Sequence, residues 1–110
     1  MTNHEAHMAM WDWLSKNPGI SKFRWPGFKN FKPIRNDCFA CQHCRGVCTR
    51  CPLNWPGGIT CTFSGSLYST YQVAKQEYRV YAAMGRLTED HHTLVTGLAI
   101  QIRDLPWSVK

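Results

Sequence analysis

Apolar positions recur at helical spacing in three stretches of the chain and lose all period between the first stretch and the second. Over residues 4–16, Met10, Trp13 and Leu14 share one face, with His7 and Trp11 beside it. Thr2 or Asn3 can cap this helix, Glu5 suits its positive N-terminal end, and Asn17-Pro18-Gly19 stops it. The spacing predicts a second helix over 66–84, capped by Ser64 or Ser66, with Leu67, Tyr71, Ala74, Tyr78 and Ala82 as a buried stripe and Gly85 at its end. A third starts after Thr88, with Glu89 and Asp90 in its first turn. Its apolar face is Leu94, Val95, Leu98, Ala99, Ile102 and Leu105, and Pro106 closes it. The short link between the last two predicts an antiparallel hairpin.

Residues 20–60 behave differently. Pro26, Gly27, Pro33, Pro52, Pro56, Gly57 and Gly58 break any long element, leaving loop with short strands at most. A stretch of this length inside a small domain needs something to order it. The expected fold is a small, mainly α, metal-stapled single domain over residues 1–110, with three helices around an irregular loop of zinc-ribbon or zinc-knuckle type. A chain of 110 residues supports only a thin core, which a staple would reinforce.

The candidate staple is the segment 38–51. Two Cys-x2-Cys hooks, Cys38/Cys41 and Cys48/Cys51, each turn two sulfurs to one side of a tight loop, and together they supply the four ligands of a closed tetrahedral zinc site. Six cysteines exceed what one zinc ion uses. Cys61 and Cys44 are alternates, and His43 is an outside candidate. Arg45 and Arg50 would favour thiolates and offset the negative charge of a zinc–tetrathiolate centre. The rival is an iron–sulfur cluster, because Cys38-x2-Cys41-x2-Cys44-x3-Cys48 has ferredoxin spacing. Against it, Thr49 rather than proline follows Cys48, and Cys61 would have to serve as a fourth ligand.

The start of the chain lacks the basic and apolar regions of a secretory signal, and no apolar run reaches the roughly 18 residues of a membrane span. The expectation is therefore an intracellular protein with reduced thiols, and metal rather than disulfides. Secretion would reverse that inference. Catalysis is not expected: there is no deaminase-type zinc signature, and His4-Glu5-Ala6-His7 lacks the i, i+4 histidine pair of a zinc protease helix. His4, His7, His91 and His92 are read as ordinary surface or core histidines.

Charge singles out the same middle region. The net charge is +6, and residues 22–50 hold all of it: Lys22, Arg24, Lys29, Lys32, Arg35, Arg45 and Arg50 stand against the single acid Asp37. Such a block suits an anionic partner or simply a solvated face. Within it, Phe23, Trp25, Phe28 and Phe31 alternate with cations. Exposed, they would stack on bases while the cations follow phosphates. The favoured expectation is that they pack the loop onto the helices. Arg24, Lys29, Lys32 and Arg35 are the expected partner contacts on either reading.

Several of these residues together carry a resemblance. Trp11-Asp12-Trp13-Leu14 with Asn17-Pro18, the first Cys-x2-Cys hook, Cys48-x2-Cys51-Pro52-Leu53-x-Trp55, Cys61 with Gly65-x2-Tyr68, and Ala99-x2-Ile102-x2-Leu105-Pro106-Trp107 resemble a group of small, largely uncharacterised proteins of tailed bacteriophages and prophages. Cys38, Cys41, Cys48, Cys51 and Cys61 match that pattern and Cys44 departs from it, so which four of the five bind metal stays open. The resemblance implies a phage origin and the cytoplasm of an infected bacterial host, and brings no established activity. The expected role is a non-enzymatic, zinc-stapled interaction module that modulates or inhibits a host or defence protein. The alternatives are direct DNA or RNA binding through residues 22–50, and an iron–sulfur protein.

Overall fold

The structure, a computed structural model, describes residues 2–31, 39, 52, 53, 55 and 65–107, with backbone alone for 29–31. Helix α1 spans Asn3–Lys16. Thr2 caps it: its hydroxyl accepts from the Glu5 amide at 3.1 Å, and the Glu5 carboxylate accepts from the Thr2 amide at 2.9 Å. At the other end the Asn17 side chain donates to the Trp13 carbonyl at 2.8 Å. Gly19 then turns the chain with φ +81°, and a Cβ there would stand 2.7 Å from the Tyr78 ring. Only glycine permits both that backbone angle and that approach.

Helix α2 spans Leu67–Ala83 and is capped by Ser66, whose hydroxyl accepts from the Ser69 amide at 3.0 Å. Its end is a Schellman turn: Arg86 N–H donates to the Tyr81 carbonyl at 2.9 Å and Gly85 N–H to Ala82 at 3.1 Å, with Gly85 at φ +67°. Helix α3 spans Glu89–Arg103. Thr88 caps it, its hydroxyl accepting from the His91 amide, and His91 Nδ1 in turn accepts from the Thr88 amide at 3.1 Å. Of the alternative caps Thr2 or Asn3 and Ser64 or Ser66, Thr2 and Ser66 are the ones used, and the three predicted helices are present to within a residue or two at their ends.

α3 packs on both α1 and α2, and α1 also meets α2 directly, the Trp11 ring lying edge-on to Tyr71 at 4.9 Å. Ala6, Met10, Trp11 and Leu14 of α1, Tyr71 and Ala74 of α2, and Val95, Leu98, Ala99 and Ile102 of α3 are buried together, with Leu105 following. Arg103 reaches back to Asp12 at 2.9 Å and fixes α1 against α3 at the surface. Hydrogen bonds from Lys16 and then Arg103 hold the Asp12 carboxyl below its ordinary range.

Three details of the predicted stripes differ. Ala82 is exposed, as is every residue from 79 to 90, and Leu94 is 49% exposed rather than buried. α1 has 14 residues against 17 in α2, so the far end of the α2–α3 hairpin runs past its cover. Trp13 is half-buried, and Trp11 takes the inner place on α1.

The irregular middle contributes two tight 3₁₀ segments, Lys22–Arg24 and Pro26–Phe31. Among the described residues there is no strand, only one antiparallel bridge between Leu53 and Trp107. No helix among them is long and apolar enough to cross a membrane.

Candidate functional site

The predicted ligands Cys38, Cys41, Cys48 and Cys51, their alternates Cys61, Cys44 and His43, and the predicted contacts Lys32 and Arg35 lie outside the described residues. The described residues within and directly after the two cysteine hooks are buried or half-buried. Phe39, which follows Cys38, is fully buried; the Trp25 ring meets it edge-on at 5.6 Å and Phe28 stacks on it at 5.4 Å. Pro52 and Leu53, which follow Cys51, are buried, and Leu53 pairs with Trp107. Trp55 lies edge-on to Tyr68 at 6.5 Å. Both cysteine hooks are thus flanked by residues seated in the core.

The aromatic–basic stretch divides. Trp25 is buried and Phe28 packs against the core, as expected of anchors that fasten the loop to the helices. Phe23 is 66% exposed and only leans on Phe28 at 6.3 Å. Arg24, beside it, is exposed, and Lys29 lies on the Pro26–Phe31 segment. Lys22 turns inward: its ammonium donates to the Tyr68 hydroxyl at 2.9 Å and sits 5.1 Å from that ring's centre. Burial holds the nearby Lys75 ammonium below its usual range, and the positive charges of Lys22 and Arg79 push the same way.

The titratable group with the most unusual surroundings is His7. It is 1% exposed, with its ring between Trp11 at 6.4 Å and Trp107 at 5.7 Å; His4 stacks on the other partner, Trp107, at 4.7 Å. Its Nε2 lies 3.0 Å from the Ile102 carbonyl. A carbonyl only accepts, so Nε2 carries the proton and Nδ1 is a bare lone pair. That Nδ1 is buried and has no hydrogen-bond partner. Burial pushes the His7 pKa down to about 4; the Ile102 carbonyl opposes the shift without cancelling it. Trp55 Nε1 is a second buried polar atom with no partner, in this case a donor.

Sequence periodicity placed His7 beside the apolar face of α1 and marked it as ordinary. Its orphaned nitrogen depends on where Ile102 and Trp107 come to rest, which no local pattern encodes. Among the described residues no three His, Cys, Asp or Glu side chains gather into a metal-holding group. Comparison with protein-family models, with curated proteins and with solved structures finds no match to this chain.

Proposed function

We infer that the chain is a non-enzymatic, zinc-stapled interaction module of a bacteriophage or prophage, which docks on a protein of the bacterial host or of its defences and modulates or inhibits it. The observation that carries this reading is the division of the middle region. Phe39, Pro52, Leu53 and Trp25, around and before the cysteine hooks, are seated in the core, while Phe23 and Arg24 face solvent. Of the described cations in this stretch Lys22 turns inward to Tyr68 and Arg24 faces solvent, and an exposed aromatic beside an arginine has the composition enriched at protein interfaces. Zn2+ is the proposed cofactor, with Cys38, Cys41, Cys48 and Cys51 as the preferred ligands and Cys61, Cys44 and His43 in reserve. The contacts are Arg24, Lys29, Lys32 and Arg35, and the setting is the host cytoplasm.

The test is capture of partners from nuclease-treated infected cells by the zinc-loaded chain, followed by titration of the captured protein at rising salt. The expected result is a saturable complex that weakens little with salt and is lost on joint charge reversal, Arg24→Glu with Lys29→Glu. Intact binding by that double variant removes the basic face from the proposal.

A second reading has its own support, the confinement of the +6 charge to residues 22–50. If that face binds single-stranded nucleic acid, four phosphate contacts give a slope of about −3 in log affinity against log salt. A random oligonucleotide measures it directly. Metal analysis of the same preparation separates zinc from iron and sulfide.

A further inference from the structure

Along α2, Tyr68, Gln72, Lys75 and Arg79 follow one another at three or four positions and so share a face. Segment 19–22 lies along that face. At one end, a Cβ on Gly19 would stand 2.7 Å from the Tyr78 ring and 3.5 Å from Arg79 Cγ. At the other, the Lys22 ammonium donates to the Tyr68 hydroxyl at 2.9 Å, which also accepts from Gln72 at 2.7 Å. Lys75 stands between these two points on the helix. It is half-buried, with its ammonium 6.0 Å from the centre of the Tyr71 ring.

The charges gathered here are of one sign. Burial, and then the positive charges of Lys22 and Arg79, hold the Lys75 ammonium below its ordinary range. A cation that loses hydration and faces like charges is raised in energy on both counts. Among the described residues no carboxylate pairs with Lys75 or Arg79. Glu77, two positions from each, lines a different hollow with Thr70, Val73 and Leu94. An anion from outside the chain would relieve the repulsion.

We propose that Lys22, Lys75 and Arg79 form a binding site for a phosphate group. Three cations suit a group of more than one negative charge better than a lone carboxylate. The arginine supplies a flat fork of donors and the lysines supply compact point charges, both of which recognise phosphate oxygens. The Tyr68 hydroxyl holds Lys22 in place beforehand, so less freedom is lost on binding. The site goes beyond the docking contacts proposed above: Lys75 and Arg79 belong to the helical frame, outside residues 22–50, and the site stands whether or not the cysteines hold zinc. Free phosphate compounds and a nucleic-acid backbone both present this chemistry.

The experiment titrates the full-length protein at low salt with inorganic pyrophosphate, by calorimetry, and with a labelled oligothymidylate, by fluorescence anisotropy. Lys75→Gln and Arg79→Gln are compared with Arg86→Gln, which removes the same charge from the exposed hairpin tip. The expected result is saturable binding of at least one probe, weakened about tenfold by either site variant and unchanged by Arg86→Gln. Pyrophosphate that binds and displaces the oligonucleotide identifies a free-phosphate site, and binding of the oligonucleotide alone identifies a backbone site. No saturable binding of either probe overturns the proposal. So does a loss in Arg86→Gln as large as in the site variants, or undiminished binding in Arg79→Gln, whose exposed side chain decides the matter even where Lys75→Gln does not fold. The docking face fails or stands separately, because Arg24→Glu with Lys29→Glu keeps all three cations of this site.

Discussion

At the scale of a single ring, His7 gives this fold one of its pH-dependent contributions to stability. In the unfolded chain it titrates near its ordinary 6.5, while in the fold burial holds it neutral down to about 4. Between those values the unfolded chain binds the proton and the folded one does not, so stability falls as pH drops through the window. The size is about 3 kcal/mol over the full interval, from the ordinary conversion of a pKa shift to free energy. Urea midpoints measured from pH 7 to pH 4 should follow that decline, and His7→Gln should flatten it. The glycines offer a matched pair at the same scale. Gly19 and Gly85 both hold positive φ, but a Cβ meets the Tyr78 ring at 19 and open space at 85. Gly85→Ala should therefore cost about 1 kcal/mol, from backbone strain alone. Gly19→Ala should cost clearly more, with the excess reduced in a Tyr78→Ala background. Both glycines are legible in the sequence as helix stops. The approach of Tyr78 is not, because it depends on α2 lying against the end of α1.

At the scale of elements, caps and periods were largely legible. Thr2 with Glu5, Ser66, Gly85 and Thr88 act through neighbours three to five positions away, and local chemistry of that range can be read from a sequence. His91 is an instructive miss: it completes the Thr88 cap from a position where glutamate or glutamine is usual. Thr88→Ala should lower stability by about 1 kcal/mol, read from a urea melt. The inner stripe of α2 was legible through Tyr71 and Ala74 but not through Ala82. Helical period tells which side of a helix is apolar and says nothing of how far the covering helix extends. Because α1 ends short of the hairpin tip, backbone amides at 79–90 should exchange with solvent faster than those at 95–102. Equal protection of the two stretches would show that something else covers the tip.

At the scale of the molecule, the helical frame and the irregular middle were read by different kinds of signal. Periodicity places the helices. The order of residues 20–60 was inferred from cysteine spacing, whose ligands fall outside the described residues, so the structure bears on it only through the flanking anchors. Those anchors make a definite prediction. If zinc orders the loop, a chelator should release Phe39 and Leu53 and expose the Trp25 indole, shifting its fluorescence to the red. Most of the far-ultraviolet helical signal should remain, since α3 packs on both α1 and α2 and Trp11 of α1 meets Tyr71 of α2. No change in fluorescence with full removal of the metal would separate the loop's order from the ion.

The pairing of Leu53 with Trp107 has a reach beyond the two residues it joins. Trp107 also receives the His4 ring and borders His7, so the first helix meets its indole and the middle segment its backbone, at one residue just past Pro106. A disturbance at either of the other two places is therefore expected to reach Trp107. A spectroscopic probe substituted for that indole would report on all of them together, and a protease able to cut behind Pro106 would loosen the opening turn of α1 as readily as its own site of attack.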